Sequence, residues 1–415
     1  MLAQSPKSND KLSELERLLT IKQMQINSLL EVSQAINNNF STKAIFRIYE
    51  FILKAQIGVN KMAVFIKDDE WEIGAESGVN KKETLQSINA NHYFKDIKSV
   101  SKLKKDTYPE LEEFEFVIPT YHKDEPLSYL LIGELKTDNY DTIEEKLKFI
   151  MTITNIIVVA IENKKLFKNQ IDRELIKREL EIAAKMQSML IPDSLPKNEF
   201  IEMAAIYIPN QDIGGDIYDY VKLSDEEFAF CIGDVSGKGV AAALLMSNFQ
   251  ANFQIIINEK GSLESYIKNL NRRLLSITKG EKFITLFLGI YNTKTKKLKY
   301  VNAGHNPPIL VNKGKLIELD KGTTILGMFE ELPFVNEGEV SLEKNSLLLT
   351  YTDGLVDIEN EENEMFDIER VKDFLKEYQH LTVHEFNSNL FKYIESFKGT
   401  QLFLDDITIL SCRFF

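Results

Sequence analysis

The architecture of this chain turns on Phe228-Ala229-Phe230-Cys231-Ile232-Gly233-Asp234-Val235-Ser236-Gly237-Lys238-Gly239. An apolar run ends in an aspartate, and small residues follow. A carboxylate that closes a buried strand is costly unless something pairs with it. Three other segments carry related arrangements: Gly214-Gly215-Asp216, Thr350-Tyr351-Thr352-Asp353-Gly354, and Phe403-Leu404-Asp405-Asp406-Ile407-Thr408. Four such aspartates from distant segments point to one shared partner, and a divalent cation or a pair of cations is the simplest. Glycines beside the aspartates let the chain turn while the carboxylate faces a cleft. Val235 would offer its carbonyl oxygen to the same ion, and with two ions Asp234 is the candidate bridge. The stretch is not a nucleotide-binding P-loop. Three residues separate Gly233 from Gly237 where that motif has four, and Gly239 follows Lys238 where Ser or Thr is needed.

Outward from this stretch, residues 199–415 alternate strands and helices. Strands are expected at 203–208, 228–232, 285–291, 297–301, 309–311, 346–350 and 407–412. Helices are expected at 240–257, 263–278, 368–377 and 383–397. That pattern predicts an α+β architecture, a β-sandwich covered by helices. Upstream, residues 11–38 have a helical period, and Ser41 is a good N-cap for a second helix to about residue 56. The period then changes to two. Strands are expected at 61–66 and 71–75, joined by an Asp68-Asp69 turn, then at 115–120 and 127–134. A helix at 143–163 closes this unit.

A charge-laced helix is expected at 162–190, ended by Pro192 and Pro196. Ile171, Leu175, Ile182 and Met189 follow a roughly heptad spacing, interrupted on the other seam by Arg178 and Lys185. The expectation is a dimerising, signal-carrying linker, with a solvated connector as the plainer reading.

The motifs Gly214-Gly215-Asp216-Ile217-Tyr218-Asp219, Gly233–Gly239, Ala303-Gly304-His305-Asn306-Pro307-Pro308, Thr352-Asp353-Gly354-Leu355 and Asp405-Asp406-Ile407-Thr408 occur in this order. Together they resemble the bacterial branch of the metal-dependent, protein phosphatase 2C-like (PPM) family, which includes sporulation and stress-response phosphatases acting on anti-sigma-factor antagonists. The resemblance covers about residues 180–415. It implies a helix-flanked sandwich holding two divalent cations, Mn²⁺ or Mg²⁺. By motif match Asp234 bridges both ions, Val235 gives its main-chain oxygen, Asp216 serves one ion, and Asp353 and Asp405 serve the other. Asp216 and Asp234 are thereby the catalytic pair, and a water activated by the two metals attacks the phosphoryl group directly. Asp406 and Asp219 are expected as hydrogen-bonding groups. Asp357 is expected at the surface, or beside Asp353 if a helix begins at Gly354. Eukaryotic relatives have a histidine where this chain has Ser236, so the general acid is unassigned. His305 is expected in a structural turn.

The segment 179–192 also resembles this branch, and the packing of Ile182 and Met186 is expected to govern the alignment of Asp216 and Asp234. Residues 1–165 resemble a GAF-like sensory domain by element order. The implied organisation is 1–165 sensory, 166–192 linker, and 193–415 phosphatase. The implied function is a serine/threonine phosphoprotein phosphatase, with a phosphorylated STAS-type antagonist as substrate and a homodimer as assembly. Keeping all four acidic motifs disfavours a non-catalytic scaffold.

Bulk composition sets further limits. The 415 residues carry 50 Lys+Arg against 63 Asp+Glu, a formal charge of -13. That disfavours nucleic acid as a partner, and with it a metal-dependent nuclease. Two cysteines, Cys231 and Cys412, exclude a disulfide framework and read as core residues. Residues 1–14 are polar and unlike a signal peptide. The apolar run at 150–161 is too short to span a bilayer. The expectation is a cytoplasmic protein with no membrane insertion.

Overall fold

Leucines and isoleucines three and four apart form helix α1 (Pro6–Asn37) in the computed structural model, which describes residues 6–68, 70–104, 106–136, 142–192 and 194–415, with side chains from residue 12 onward. Asp69 of the expected turn lies outside the described residues. The chain divides into two units, Met1–Glu174 and Leu175–Phe415.

In the first unit, Ser41 caps α2 (Thr42–Phe51) by accepting from the Ala44 N–H. A π-helical turn at Ile52–Ile57 follows, and Gly58 ends it at φ 82°, a left-handed conformation that glycine adopts without strain. Then come β1 (Val59–Lys67), β2 (Trp71–Ser77), α3 (Lys82–Gln86), α4 (Ala90–Phe94), β3 (Ser101–Lys102), β4 (Phe116–His122) and β5 (Glu125–Leu135). They make an antiparallel sheet of order β2-β1-β5-β4-β3. Alternation along the strands gives it two cores. Val64, Ile118, Leu130 and Ile132 pack on α2 and on the following helix. Phe65, Val117, Tyr129 and Leu131 pack on the side of Phe94 and Leu85.

The helices expected at 143–163 and 162–190 are one, α5 (Ile143–Ser188). No glycine or proline occurs within it, so nothing in the backbone chemistry stops the helix where the surface becomes charged.

The second unit holds β6 (Ile201–Ile208), β7 (Ile217–Lys222), β8 (Glu227–Val235), α6 (Val240–Asn258), α7 (Leu263–Thr278), β9 (Ile284–Asn292), β10 (Lys297–Ala303), β11 (Ile309–Asn312), β12 (Lys315–Glu318), β13 (Gly322–Thr323), β14 (Gly338–Ser341), β15 (Ser346–Tyr351), α8 (Ile368–Tyr378), α9 (Val383–Lys398) and β16 (Ile407–Phe414). One sheet runs β13-β10-β9-β8-β7, with β14 also on β10; the other runs β12-β11-β15-β16-β6. Phe230, Phe287, Tyr291, Leu348, Leu410 and Phe414 fill the space between them. Phe253 of α6 and Ile267 of α7 cover the outer face of the first sheet. Phe386 and Leu390 of α9 cover that of the second. This is the expected helix-flanked sandwich. Cys231 and Cys412 are buried free thiols within it. Among the described residues α6 is the one helix long and apolar enough to cross a membrane, and half of that stretch is buried inside the unit.

Candidate active site

Strand register brings the acidic motifs together. Ile217 of β7 pairs with Gly233 of β8, so Asp216 and Asp234 lie across from each other at the end of one sheet. In the other sheet Tyr351 pairs with Ile409, and the Thr352 N–H donates to the Thr408 carbonyl at 3.0 Å. Asp353 therefore leaves β15 where Asp405 and Asp406 enter β16. A 3-10 turn at Asp353–Leu355 follows. A Cβ on Gly354 would lie 2.0 Å from the Asp406 carbonyl oxygen, so only glycine lets these two segments approach so closely.

Asp216 joins the two sheets. It is buried, and its Oδ2 accepts from Thr352 Oγ1 at 2.8 Å and Thr408 Oγ1 at 2.6 Å. Burial, followed by the charge of Asp234, pushes its carboxyl well up; the two hydroxyls act against that shift. Asp234 is pushed up to about 7, by burial first and then by Asp353, Asp405 and Asp406. Burial raises Asp353 too, with Asp405 and Asp357 adding to it. Asp357 has entered the cluster, because its N–H donates to the Asp353 carbonyl at 3.0 Å. Its own carboxyl is raised by partial burial and by Asp405.

Asp406 faces the Asp216 turn. Its oxygens accept from Asn210 N at 2.8 Å and Gly215 N at 2.6 Å. At Gly215 a Cβ would meet the Val235 carbonyl oxygen at 3.1 Å and Asp234 Oδ1 at 3.6 Å, so both oxygens face the Gly-Gly-Asp turn. Lys238 Nζ lies 2.8 Å from Asp405 Oδ2 and donates to the Leu404 carbonyl at 2.7 Å. Lys282 Nζ donates to the Ser236 carbonyl at 3.1 Å.

The donor set is carboxylate and carbonyl oxygen, the chemistry of a hard-cation site. Among the described residues, however, no three acidic, His or Cys side chains already close round one point. Asp405 pairs with Lys238, and Asp216 accepts from two hydroxyls.

Ser236, at the position of the eukaryotic histidine, and His305 both make local hydrogen bonds. Ser236 Oγ accepts from the Phe283 N–H at 3.0 Å. His305 is buried, with Nδ1 2.9 Å from Thr285 Oγ1 and its main-chain N–H given to Asn302 Oδ1 at 2.8 Å. Burial lowers its pKa to about 4. The ring is thus neutral when folded but titrates near 6.5 when unfolded. Its contribution is complete above pH 6.5 and is lost as pH falls toward 4, by up to roughly 3 kcal/mol. Urea denaturation of wild type and His305→Gln from pH 7 to 4.5 should show a shallower acid loss in the variant. Identical slopes would assign that loss to other groups. Asp219 points away from the cluster, toward α6, and accepts from Gln254 Nε2 at 2.6 Å and the Tyr220 N–H at 2.7 Å.

The residue that sequence reasoning missed is Gln187, buried in the last turn of α5. Its Nε2 donates to the Gly214 carbonyl at 2.7 Å, and its Oε1 accepts from the Gly214 N–H at 3.1 Å. Ile182 and Met186, expected to make this connection, are exposed instead. The helix reaches the Gly-Gly-Asp turn through a polar side chain, which hydrophobic periodicity cannot reveal.

Comparison with known proteins agrees with this geometry. The sequence profile of the stage II sporulation protein E (SpoIIE) family matches residues 224–415. Phosphoserine phosphatase RsbU of Bacillus subtilis (strain 168) is 28% identical over 240 residues, 57% of this chain and 70% of that protein. Phosphoserine phosphatase RsbP of the same organism is 29% identical over 186 residues, 44% of this chain but 46% of that protein. The SiaA-PP2C domain of Pseudomonas aeruginosa superposes with a TM-score of 0.53 at 22% identity, over 59% of this chain and 99% of that domain, which establishes the shared fold. Through its second unit, the chain is thus similar to the SpoIIE family and to the phosphoserine phosphatases RsbU and RsbP, and it shares the fold of the PP2C domain of SiaA.

Proposed function

We propose that the chain is a divalent-cation-dependent serine/threonine phosphoprotein phosphatase whose first unit is a GAF-like regulatory domain. The observation that carries this reading is the convergence of Asp216, Asp234, Asp353 and Asp405 from four segments onto one edge of the sandwich. Among the described residues Lys238 is the one cation in an ion pair with them. Asp216, Asp234, Asp353 and Asp405, with the Val235 carbonyl, would hold two divalent ions. When bound, such ions lower the pKa of a water and neutralise the phosphoryl oxygens.

The chain's own residues prepare the place. Thr352 and Thr408 hold the Asp216 carboxylate in one orientation, and Asp406 holds the backbone of the turn that carries it. Lys238 Nζ holds the Asp405 carboxylate and the Leu404 carbonyl. The reading is tested by hydrolysis of a phosphoserine protein with Mn²⁺ and with chelator, comparing wild type and Asp234→Asn.

The relatives' phosphoserine specificity and their sigma-regulator branch support a phosphorylated STAS-type antagonist as the substrate, in the cytoplasm. The helix between the units supports dimerisation: Leu175, Ile182 and Met186 of α5 are exposed apolar side chains on a surface otherwise rich in charge. Sedimentation equilibrium should return twice the chain mass, falling toward one with Leu175→Glu/Ile182→Glu. A wild-type chain that sediments as a monomer at tens of micromolar would remove the dimer from this reading.

A further inference from the structure

A cleft in the first unit takes no part in the phosphatase reading. It has a volume of about 790 Å³ and lies between the start of α2, the β1–β2 hairpin and residues 161–171 of α5. That is within the range of small-molecule sites. Phe46, Ile66, Ile161, Phe167 and Ile171 make its apolar wall.

Its rim is basic in an acidic protein. Five lysines face three carboxylates, those of Asp68, Glu72 and Glu162, whereas the whole chain carries -13. Three of the lysines have partners. Lys164 Nζ donates to the Asn39 and Phe40 carbonyls at 3.3 and 2.9 Å, Lys67 lies 3.7 Å from Glu125, and Lys165 engages Asp68. The other two, Lys43 and Lys168, have no hydrogen bond or ion pair with any described residue.

The sheet beneath is not wholly aliphatic. Ile66 pairs with Ser128, and Ser128 with Thr120, so the three share one face. Both hydroxyls are buried without a partner among the described residues, Ser128 directly opposite Ile66 and Thr120 one strand further. A face serving only to pack a helix has no use for them.

We propose that this cleft binds a small amphipathic anion: an apolar body against Phe46, Ile66 and Phe167, with a carboxylate or phosphate head between Lys43 and Lys168. Burial of the apolar body supplies most of the affinity. The exposed amines contribute less each, and they select charge and orientation. A second copy of the chain is a poorer occupant, because pairing along this side of α5 would bring Lys164, Lys165 and Lys168 against their own kind. The inference concerns the first unit alone and does not depend on the phosphatase reading.

Isothermal titration of the full chain with decanoate, decyl phosphate, decanol and decyltrimethylammonium, each below its micelle concentration, tests this. One anion should bind per chain, with decanol and the cation at least about tenfold weaker. The two anionic probes distinguish the head groups. Lys43→Glu/Lys168→Glu changes only exposed side chains and should weaken the anions at least about tenfold. Phe167→Ala should weaken every probe that binds. Equal binding of decanoate and decanol, an unchanged double variant, or one ligand shared by two chains would each overturn the proposal. The same titration on Asp234→Asn should match wild type, which keeps this outcome separate from the fate of the catalytic assignment.

Discussion

Asp234→Asn is expected to lower Mn²⁺-dependent hydrolysis of a phosphoserine protein by about a thousandfold or more, the scale set by several kcal/mol of lost charge stabilisation. The substitution is nearly isosteric and keeps a polar group at the end of β8, so a misfolded site is not the expected cause. Stability provides the independent readout. In the metal-free protein Asp234 is surrounded by Asp216, Asp353, Asp405 and Asp406, and its pKa is raised to about 7. An acid whose folded pKa exceeds its unfolded value makes the folded state bind more protons. Stability therefore falls as pH rises from about 4 to about 7, by a few kcal/mol at most. Above pH 7, with chelator present, Asp234→Asn should melt higher than wild type. With Mn²⁺ the order should reverse, since only wild type gains from the bound cation. Comparable turnover by the two proteins would end the catalytic assignment. A variant that is less stable in chelator would show that the cluster is not held together against its own repulsion.

Gln187→Ala is expected to raise the Mn²⁺ concentration for half-maximal activity by about tenfold or more and to lower the maximal rate. Its amide both donates to and accepts from the backbone of Gly214, two residues before Asp216. Truncation leaves both groups buried without partners, at about 1–3 kcal/mol each. The turn then relaxes toward whatever satisfies them. Asp406 still holds Gly215, so the site loosens without collapsing. A merely structural role would lower the melting temperature and leave the metal midpoint where it was. An unchanged midpoint and rate would disconnect α5 from the Asp216 turn. The tie runs through the last turn of the helix, so a shift of α5 along its axis would reach Asp216 through this one side chain.

Much of the second unit was legible because its signals are local. An apolar run ended by Asp and small residues reads as a strand and turn wherever it occurs, and Leu263–Thr278 emerged with the expected bounds. The strand β7 was not anticipated. Ile217-Tyr218-Asp219-Tyr220-Val221 places an aspartate inside a buried run, and its partners Gln250 and Gln254 lie on α6. The short pairings β12, β13 and β14 have too few residues to show a period. The junction inside α5 was misplaced because a change from apolar to charged surface looks like a boundary, although the backbone has no reason to break.

By itself the sequence determined that four carboxylates sit at the ends of strand-like runs in one domain, entering some strands and leaving others, since each motif needs only its immediate neighbours to be recognised. The tertiary structure decided what holds them. Thr352 and Thr408 grip Asp216 from 136 and 192 residues away, Gln187 reaches Gly214 from the preceding helix, Asp357 joins by one turn of chain, and His305 is walled into the core. Those partnerships depend on strand register and sheet stacking, which set distances between residues far apart in the chain and leave no periodic trace along it.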